Sequence, residues 1–205
     1  MKIEAQNIGK QFAYRSILKD ISFEVQSGTA LGITGPNGSG KTTLIRILCG
    51  LIMPTKGKVI FYDNETRPLA RENIFQYIGL VGPYLELYED LTAEENISFF
   101  AGMKDINFRD GWIDTLFDRF GLSRYRKQVV RGYSSGMRQR LKYIFALMAK
   151  PEILFLDEPT SNLDNSGSQE VYAIMEEQKK QRILIFATNS VNEINFGDQQ
   201  IDFYL

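Results

Sequence analysis

Histidine does not occur among the 205 residues of this sequence. Its absence excludes histidine metal sites and histidine acid–base catalysis, so any catalytic base has to be a carboxylate or a polarised water. Cysteine occurs once, as Cys49, and one cysteine cannot form an internal disulfide. Because Cys49 falls in an apolar helical pattern, we predict that its thiol is packed rather than reactive, which fits a reducing, cytosolic compartment.

Strong net charge and long apolar runs are also missing. The formal net charge of −1 gives no overall positive field that would attract nucleic acid. No apolar run approaches the ~18 residues that a membrane span needs, and residues 1–12 contain no apolar signal segment. We therefore expect a chain that does not cross a bilayer, although it could dock on a partner that does.

A phosphate-binding motif lies at residues 35–42, where GPNGSGKT fits the P-loop pattern G-x-x-x-x-G-K-[ST]. An apolar segment, 30–34, predicts a buried strand before it, and 43–48 predicts a helix after it. Glycines let the backbone approach a phosphate, while the helix N-terminus favours an anion. The predicted nucleotide-binding residues are Gly35, Asn37, Gly38, Ser39, Gly40, Lys41, Thr42 and Thr43, with Lys41 on the β- and γ-phosphates and the Thr42 hydroxyl on Mg²⁺.

Two carboxylates follow a second apolar segment, ILFL at residues 153–156. Asp157 and Glu158 would then stand at the carboxyl end of a buried strand, where ligands lie in open α/β sheets. An unpaired carboxylate at the edge of a core is costly, so a cation is expected nearby. Asp157 suits Mg²⁺, and Glu158 is placed to polarise a water.

Two further candidates each have two interpretations. Asn189 follows the predicted strand 182–188, where it could sense a γ-phosphate or cap a helix that begins at Ser190. Phe12 and Tyr14 fall in a predicted loop, residues 10–15. One of these aromatic rings could stack on a purine, or both could close a small core.

The remaining pattern predicts alternating strands and an inserted helical region. Antiparallel strands are expected within residues 1–30 and at 58–62, a turn at 63–64 and an apolar strand at 74–81. From residue 84 to 130 the pattern becomes helical, with a capping box at Thr92–Glu95 and an apolar helix face within 110–120. Aromatic residues in this region could line a docking surface or form core: Tyr84, Tyr88, Phe99, Phe100 and Trp112. Helices are expected up to 149 and over 167–181, and a last strand over 200–205.

These motifs, in this order and over nearly the whole chain, resemble the nucleotide-binding subunit of an ATP-binding cassette (ABC) transporter. Residues 35–42 match the Walker A loop, and 153–158 match Walker B with the catalytic glutamate. The D-loop matches Ser161, Asn162, Leu163 and Asp164. The signature loop, usually LSGGQ, matches Ser134, Ser135, Gly136 and Met137.

The resemblance implies an α/β fold, a P-loop NTPase with a mostly parallel RecA-like core. It implies one domain over 1–205, in which 1–83 and 134–205 form the α/β core with an N-terminal antiparallel β subdomain. Residues 84–133 would form an inserted α-helical subdomain.

The resemblance also implies a mechanism in which two MgATP lie between two subunits arranged head to tail. Ser134 and the Gly136 amide would contact the γ-phosphate of the partner's nucleotide. Phe12 aligns with the aromatic residue that stacks on adenine, with Tyr14 in reserve. The partners would be the chain itself or a homologous cassette, and separate transmembrane permease subunits, with no nucleic acid. The subunit would lie on the cytoplasmic face of the membrane, where closure of the dimer would pull on the membrane partners through the helical region and hydrolysis would release it.

The sequence departs from the family pattern at four positions, two in the nucleotide site itself and two in the signature loop. Pro83 replaces the Q-loop glutamine, and Asn189 replaces the switch histidine; in the signature loop, Ser135 and Met137 replace a glycine and the glutamine. Losing an oriented hydrogen bond to a transition state typically costs ~10²-fold in rate. We expect slow hydrolysis by the catalytic residues Glu158, Lys41 and Asn189.

Two alternatives remain. One is a weakly hydrolysing cassette that acts as a nucleotide-dependent binding module. The other is a cassette ATPase of DNA repair or translation, which the absence of coiled-coil insertions and of a basic surface disfavours. The short tail and Gly82-Pro83 favour export or lipid-type transport.

Overall fold

A computed structural model describes residues 1–63, 67–103 and 111–203. The strands form two sheets. The antiparallel sheet has the order β2-β1-β4-β5, and the parallel sheet has the order β6-β7-β8-β3-β9. In chain order the strands are β1 (Lys2–Phe12), β2 (Arg15–Gln26), β3 (Ala30–Thr34), β4 (Lys56–Asp63), β5 (Arg67–Pro68), β6 (Ile78–Val81), β7 (Ile153–Asp157), β8 (Ile183–Thr188) and β9 (Gln199–Asp202).

Six α-helices lie in the described part of the chain: α1 (Lys41–Leu48), α2 (Ala93–Met103), α3 (Trp112–Arg119), α4 (Ser135–Leu147), α5 (Asn165–Lys179) and α6 (Val191–Ile194). Short 3-10 helices cover Arg71–Gln76, Ser123–Tyr125 and Val130–Gly132. The predicted capping box is present, since the Thr92 N–H donates to Glu95 Oε2 at 2.8 Å and the Glu95 N–H donates to Thr92 Oγ1 at 3.2 Å. The parallel core with an N-terminal antiparallel sheet confirms the predicted fold class.

The core lies on both faces of the parallel sheet. Because side chains alternate along a strand, Leu154 and Leu156 of β7 pack into one apolar cluster, with α3, α4 and α5. Ile153 and Phe155 pack into the other, with α1 and the antiparallel sheet. Every residue of β3, β7 and β8 is buried. This explains their continuous apolar runs and leaves the ends of the strands to carry the polar groups.

Two predictions about local structure are wrong. Residues 10–12 belong to β1, and the expected loop is a two-residue hairpin turn in which Ala13 takes a left-handed φ of 48°. The expected strand over 74–81 is confined to β6, because residues 71–76 form a 3-10 helix that buries only Ile74. An apolar run alone does not separate such a turn from a strand.

The remaining predicted helices and strands are present with somewhat different ends; Asp63 belongs to β4 rather than to the predicted turn, and the last strand ends at Asp202. The apolar face of α3 is buried through Ile113, Leu116 and Phe117, and Cys49 is a buried free thiol. Predictions for residues 64, 110, 204 and 205 lie outside the described residues. Within the ranges the structure covers, no helix combines the length and apolar character needed to span a membrane.

Candidate active site

The carboxyl ends of three neighbouring parallel strands bring the predicted site residues to one edge of the sheet. The P-loop follows β3, Asn189 follows β8, and Asp157 is the last residue of β7. Because β8 lies between β3 and β7, Asn189 stands between the glycine loop and the two carboxylates. This edge is the expected position of a ligand in an open α/β sheet.

Lys41 is held inside its own loop. Its side chain is only 5% exposed, and its ammonium donates to the carbonyl oxygens of Gly35 at 2.8 Å and Pro36 at 3.1 Å. Gly40 precedes it with φ 111°, and a Cβ there would lie 2.9 Å from Leu18 Cδ2. Only glycine therefore fits between the loop and β2. Lys41 is also the first residue of α1, and the free N–H groups at that helix N-terminus, together with the ammonium, are donors that suit phosphate oxygens.

Asp157 is the best candidate for a metal ligand. It is 1% exposed, and neither of its carboxylate oxygens has a hydrogen-bond partner among the described residues. Burial raises the pKa of Asp157, while the nearby Thr42 hydroxyl and Lys41 ammonium lower it. No hydrogen bond of ordinary distance and angle nevertheless joins the Thr42 hydroxyl to the Asp157 carboxylate. A buried carboxylate without a partner is costly, so the Asp157 and Thr42 oxygens fit a hard cation such as Mg²⁺.

Glu158 directly follows Asp157 in the chain, and its side chain is half-buried. Its backbone takes a left-handed φ of 54°, uncommon outside glycine, and its N–H donates to the carbonyl oxygen of Ala187 at 2.9 Å. Its carboxylate lies 3.8 Å from the Lys41 ammonium. Burial raises the pKa of Glu158, Lys41 lowers it, and the carboxylates of Asp157 and Glu193 raise it further. Glu158 can therefore accept a proton from a water at this edge.

Asn189 is attached to the P-loop. Its side-chain amide donates to Asn37 Oδ1 at 3.0 Å. The N-cap of α6 is Ser190, so the interpretation of Asn189 as a helix cap is wrong. The contact places a polar amide directly beside the glycine loop, where it can hydrogen-bond a phosphate oxygen but cannot carry a proton at neutral pH.

Glu193 is a residue of this edge that the sequence interpretation missed. It is 1% exposed, and it accepts a hydrogen bond from the Thr160 hydroxyl at 2.5 Å and another from the Thr188 hydroxyl. It thus ties the segment after β7 to the segment after β8. In the sequence, Glu193 is a single acidic residue in a short polar helix, and this pattern alone does not distinguish a buried glutamate from a solvated surface residue.

The signature loop and the D-loop lie against each other. Ser134 caps α4 by accepting from the Met137 N–H at 3.2 Å. A Cβ at Gly136 would lie 3.1 Å from the carbonyl oxygen of Asn162. Asp164 caps α5 through the Gly167 N–H at 2.9 Å. The two loops therefore act as one surface.

Arg140 joins these loops through its side chain. It donates to Asp164 Oδ1 at 2.5 Å and to the carbonyl oxygen of Phe120 at 3.1 Å. Ser134, Ser135, Ser161 and Asn162 are exposed, while Leu163 is half-buried. Within the ranges that the structure covers, no hydrogen bond joins Ser134–Met137 to the P-loop of the same chain. The structure thus does not bring the signature loop to the phosphate site within one copy.

The aromatic candidates lie at the tip of the β1–β2 hairpin. Phe12 is half-exposed, with the Lys10 ammonium 4.8 Å from its ring centroid, and Tyr14 is fully exposed. Neither closes a core. Ile17 and Leu18 of β2 lie beside Gly40, so the hairpin is anchored next to the P-loop. Phe12 keeps an open ring face in this region, while Tyr14 projects into solvent.

Comparison with known proteins identifies relatives of this chain. A family model described as "ABC transporter" matches residues 18–161. YdbJ of Bacillus subtilis (strain 168), an uncharacterized ABC transporter ATP-binding protein, is 35% identical over 196 residues, covering 94% of this chain and 62% of YdbJ. SrtF of Streptococcus pyogenes, a lantibiotic transport ATP-binding protein, is 33% identical over 189 residues, covering 92% of this chain and 80% of SrtF. The chain thus spans less than two thirds of YdbJ.

Solved structures share the fold. The dimeric structure of MJ0796, a bacterial ABC transporter cassette, superposes with a TM-score of 0.83 at 25% identity. The match covers 98% of this chain and 93% of that cassette.

Proposed function

Because this chain belongs to the ABC transporter family, whose cassettes bind and hydrolyse ATP, we propose that it is an ATP-binding subunit that couples ATP binding and hydrolysis to transport by separate membrane subunits. The observation that carries the proposal is the convergence of three charged groups at one sheet edge. The Lys41 ammonium lies 3.8 Å from Glu158, and Asp157 beside them has no partner among the described residues. A triphosphate with its cation matches both the positive and the negative groups.

In this proposal the loop residues bind and orient the phosphates. The Lys41 ammonium neutralises β- and γ-phosphate charge, and the backbone N–H groups at the start of α1 donate hydrogen bonds to the phosphate oxygens. Thr42 and Asp157 would hold Mg²⁺, which supplies charge neutralisation of the transferred phosphate. The described residues contain no cluster of three His, Cys, Asp or Glu side chains, so Thr42 and Asp157 are the protein groups that we assign to the cation.

Glu158 is the residue that we assign to the attacking water. Its carboxylate would accept the water proton as the water oxygen bonds to the γ-phosphorus, and the bond from that phosphorus to the bridging oxygen would break to release ADP. Asn189, whose side-chain amide is hydrogen-bonded to Asn37, would donate a hydrogen bond to the γ-phosphate. Since an amide carries no charge and Pro83 offers no polar side chain, we expect slow turnover.

We propose that the site is completed by a second cassette. The exposed signature and D-loops of one copy would cover the nucleotide on the P-loop of the other, because they do not reach their own. The MJ0796 cassette is dimeric, which supports this arrangement. Phe12 would stack on adenine.

The membrane partner would be a separate permease subunit. Aromatic side chains on and near α2 support such docking: Tyr88 and Phe99 are about half-exposed, and their ring centroids lie 5.3 Å apart. We propose residues 84–133 as the helical subdomain that carries this surface, on the cytoplasmic face of the membrane. SrtF is named for lantibiotic transport, which supports a transport role. For the kind of transport, we propose export or lipid-type transport.

The ATPase activity of purified chain tests this proposal. We expect Mg²⁺-dependent release of phosphate that Lys41→Ala reduces by at least about 10²-fold, because the ammonium is lost from the phosphate site. Lys56→Ala, at an exposed lysine of β4, is the matched control and should keep the wild-type rate. Equal rates in wild type and Lys41→Ala would reject the proposal.

A second function is favoured by the Asn189–Asn37 bond and the exposed Pro83. Because Pro83 and Asn189 replace the glutamine and the histidine of the family pattern, the cassette could bind ATP, close with a partner and hydrolyse very little. The turnover number of the purified homodimer distinguishes the two functions. Steady hydrolysis at ~1 s⁻¹ or more, a typical enzyme rate, would reject the binding module.

A further inference from the structure

The segment that follows β6 carries an aromatic side chain, Tyr84, next to Pro83, the residue that replaces the glutamine of the family pattern. A Cβ at Gly82 would lie 3.0 Å from Cζ of the Tyr84 ring and 3.2 Å from its hydroxyl oxygen. The phenol therefore turns back over the end of β6, and a side chain at position 82 would press against the Tyr84 ring. Since Val81 of β6 pairs with Leu156 of β7, this end of β6 is adjacent to Asp157.

Three buried polar groups near this point have no hydrogen-bond partner within the described ranges: the Tyr84 hydroxyl, the Arg46 Nε and both oxygens of Asp157. Arg46 lies 5.3 Å from the Tyr84 ring centroid, and Thr42 stands one turn before it on the same face of α1. Native proteins rarely leave buried polar atoms unpaired, so several of them together indicate a site that a ligand completes.

Tyr84 and Asp157 are close enough to interact electrostatically. Burial raises the pKa of the Tyr84 phenol, the Cys49 thiol and the Asp157 carboxylate raise it further, and the Arg46 guanidinium lowers it. The phenol is therefore a protonated donor, whereas an ionised carboxylate only accepts. The two groups are complementary.

We propose that Tyr84 is a positioning residue of the metal site, whose hydroxyl donates a hydrogen bond to the oxygen ligands that the cation holds at Asp157. It supplies the polar group that Pro83 cannot offer. The inference rests on the proposed function, because the cation is the one bound with ATP. Partners of this kind orient metal ligands from the next layer of residues.

The Tyr84→Phe variant tests the proposal, because it removes the hydroxyl and keeps the ring over Gly82. We would saturate wild type and variant with a non-hydrolysable ATP analogue and titrate Mn²⁺, measuring free Mn²⁺ by electron paramagnetic resonance. We expect the Mn²⁺ dissociation constant to rise about tenfold in Tyr84→Phe, the cost of losing such a partner. Tyr88→Phe, at a half-exposed tyrosine of the same segment, should leave the constant unchanged.

Thermal unfolding without nucleotide separates this role from a structural one. Because the Tyr84 hydroxyl has no partner in the described part of the protein, Tyr84→Phe should unfold at the wild-type temperature or above it. An unchanged Mn²⁺ constant in Tyr84→Phe, with normal Mn²⁺ binding by the wild type, would overturn this inference and leave the proposed function intact. A wild type that bound no nucleotide would overturn both.

Discussion

The charge state of Glu158 controls the chemistry at the scale of single residues. Its carboxylate can accept a proton only when ionised, and burial raises its pKa above the ordinary value of 4.5 despite the Lys41 ammonium 3.8 Å away. Protonation is therefore favoured at a higher pH than for a free carboxylate. Since histidine is absent from the chain, no imidazole ionisation overlaps with this one.

The pH profile of kcat at saturating MgATP should show this ionisation. We expect kcat to fall on the acid side with a midpoint above 4.5, because the raised pKa of Glu158 sets the fraction of active base. Steady-state assays of wild type across the acid range measure it. A midpoint at or below 4.5 would contradict the assignment of Glu158 as the base.

Asn189→His is the control for this profile. The variant introduces the only imidazole in the chain, so a second ionisation near pH ~6.5 should appear in kcat. The position of the first midpoint should stay, because Glu158 is unchanged.

At the scale of elements, the two segments that follow β7 and β8 are joined by one buried carboxylate. Glu193 of α6 accepts from the hydroxyls of Thr160 and Thr188, and the backbone N–H of Thr160 adds a third donor at 3.3 Å. The segment that carries Glu158 and the segment that carries Asn189 are thereby fixed relative to each other. A short helix of low intrinsic stability is held by this contact.

Glu193→Gln should weaken this connection. The amide group has one acceptor oxygen instead of two, so a buried threonine hydroxyl loses its partner, at a cost of about 2 kcal/mol in unfolding free energy. Urea unfolding followed by circular dichroism measures the difference. Glu72→Gln, at an exposed glutamate of the 3-10 helix 71–76, is the control and should change stability by less than ~0.5 kcal/mol. Equal losses in both variants would contradict the role of Glu193.

The sequence was sufficient for the elements whose pattern matches their period. The buried strands β3, β7 and β8 and the capped helix α2 were predicted because apolar runs and a capping box depend on near neighbours. Residues 71–76 were misassigned, since their apolar side chains suit a 3-10 turn as well as a strand. The roles of Glu193 and Tyr84 could not be predicted, because only the sheet order brings Thr160 and Thr188 to Glu193 and the end of β7 to the neighbourhood of Tyr84.

At the scale of the whole molecule, two surfaces of the chain are left incomplete. The P-loop edge carries Asp157, which has no partner among the residues described, and the surface joined by Arg140 presents Ser134 and Asn162 to solvent. Within the described ranges no hydrogen bond joins the signature loop to the P-loop of the same copy. We therefore propose that the signature loop of a second cassette covers the nucleotide.

The mass of the Glu158→Gln variant in MgATP, measured by size exclusion with light scattering, tests this central claim most directly. The variant binds ATP but lacks the base, so the closed state should accumulate at twice the 23.5 kDa mass of one chain. Adding Ser134→Arg, which places a bulky charge on the signature loop, should return it to one chain mass without loss of ATP binding. A variant that stayed monomeric with ATP bound, or a dimer indifferent to Ser134→Arg, would contradict the account.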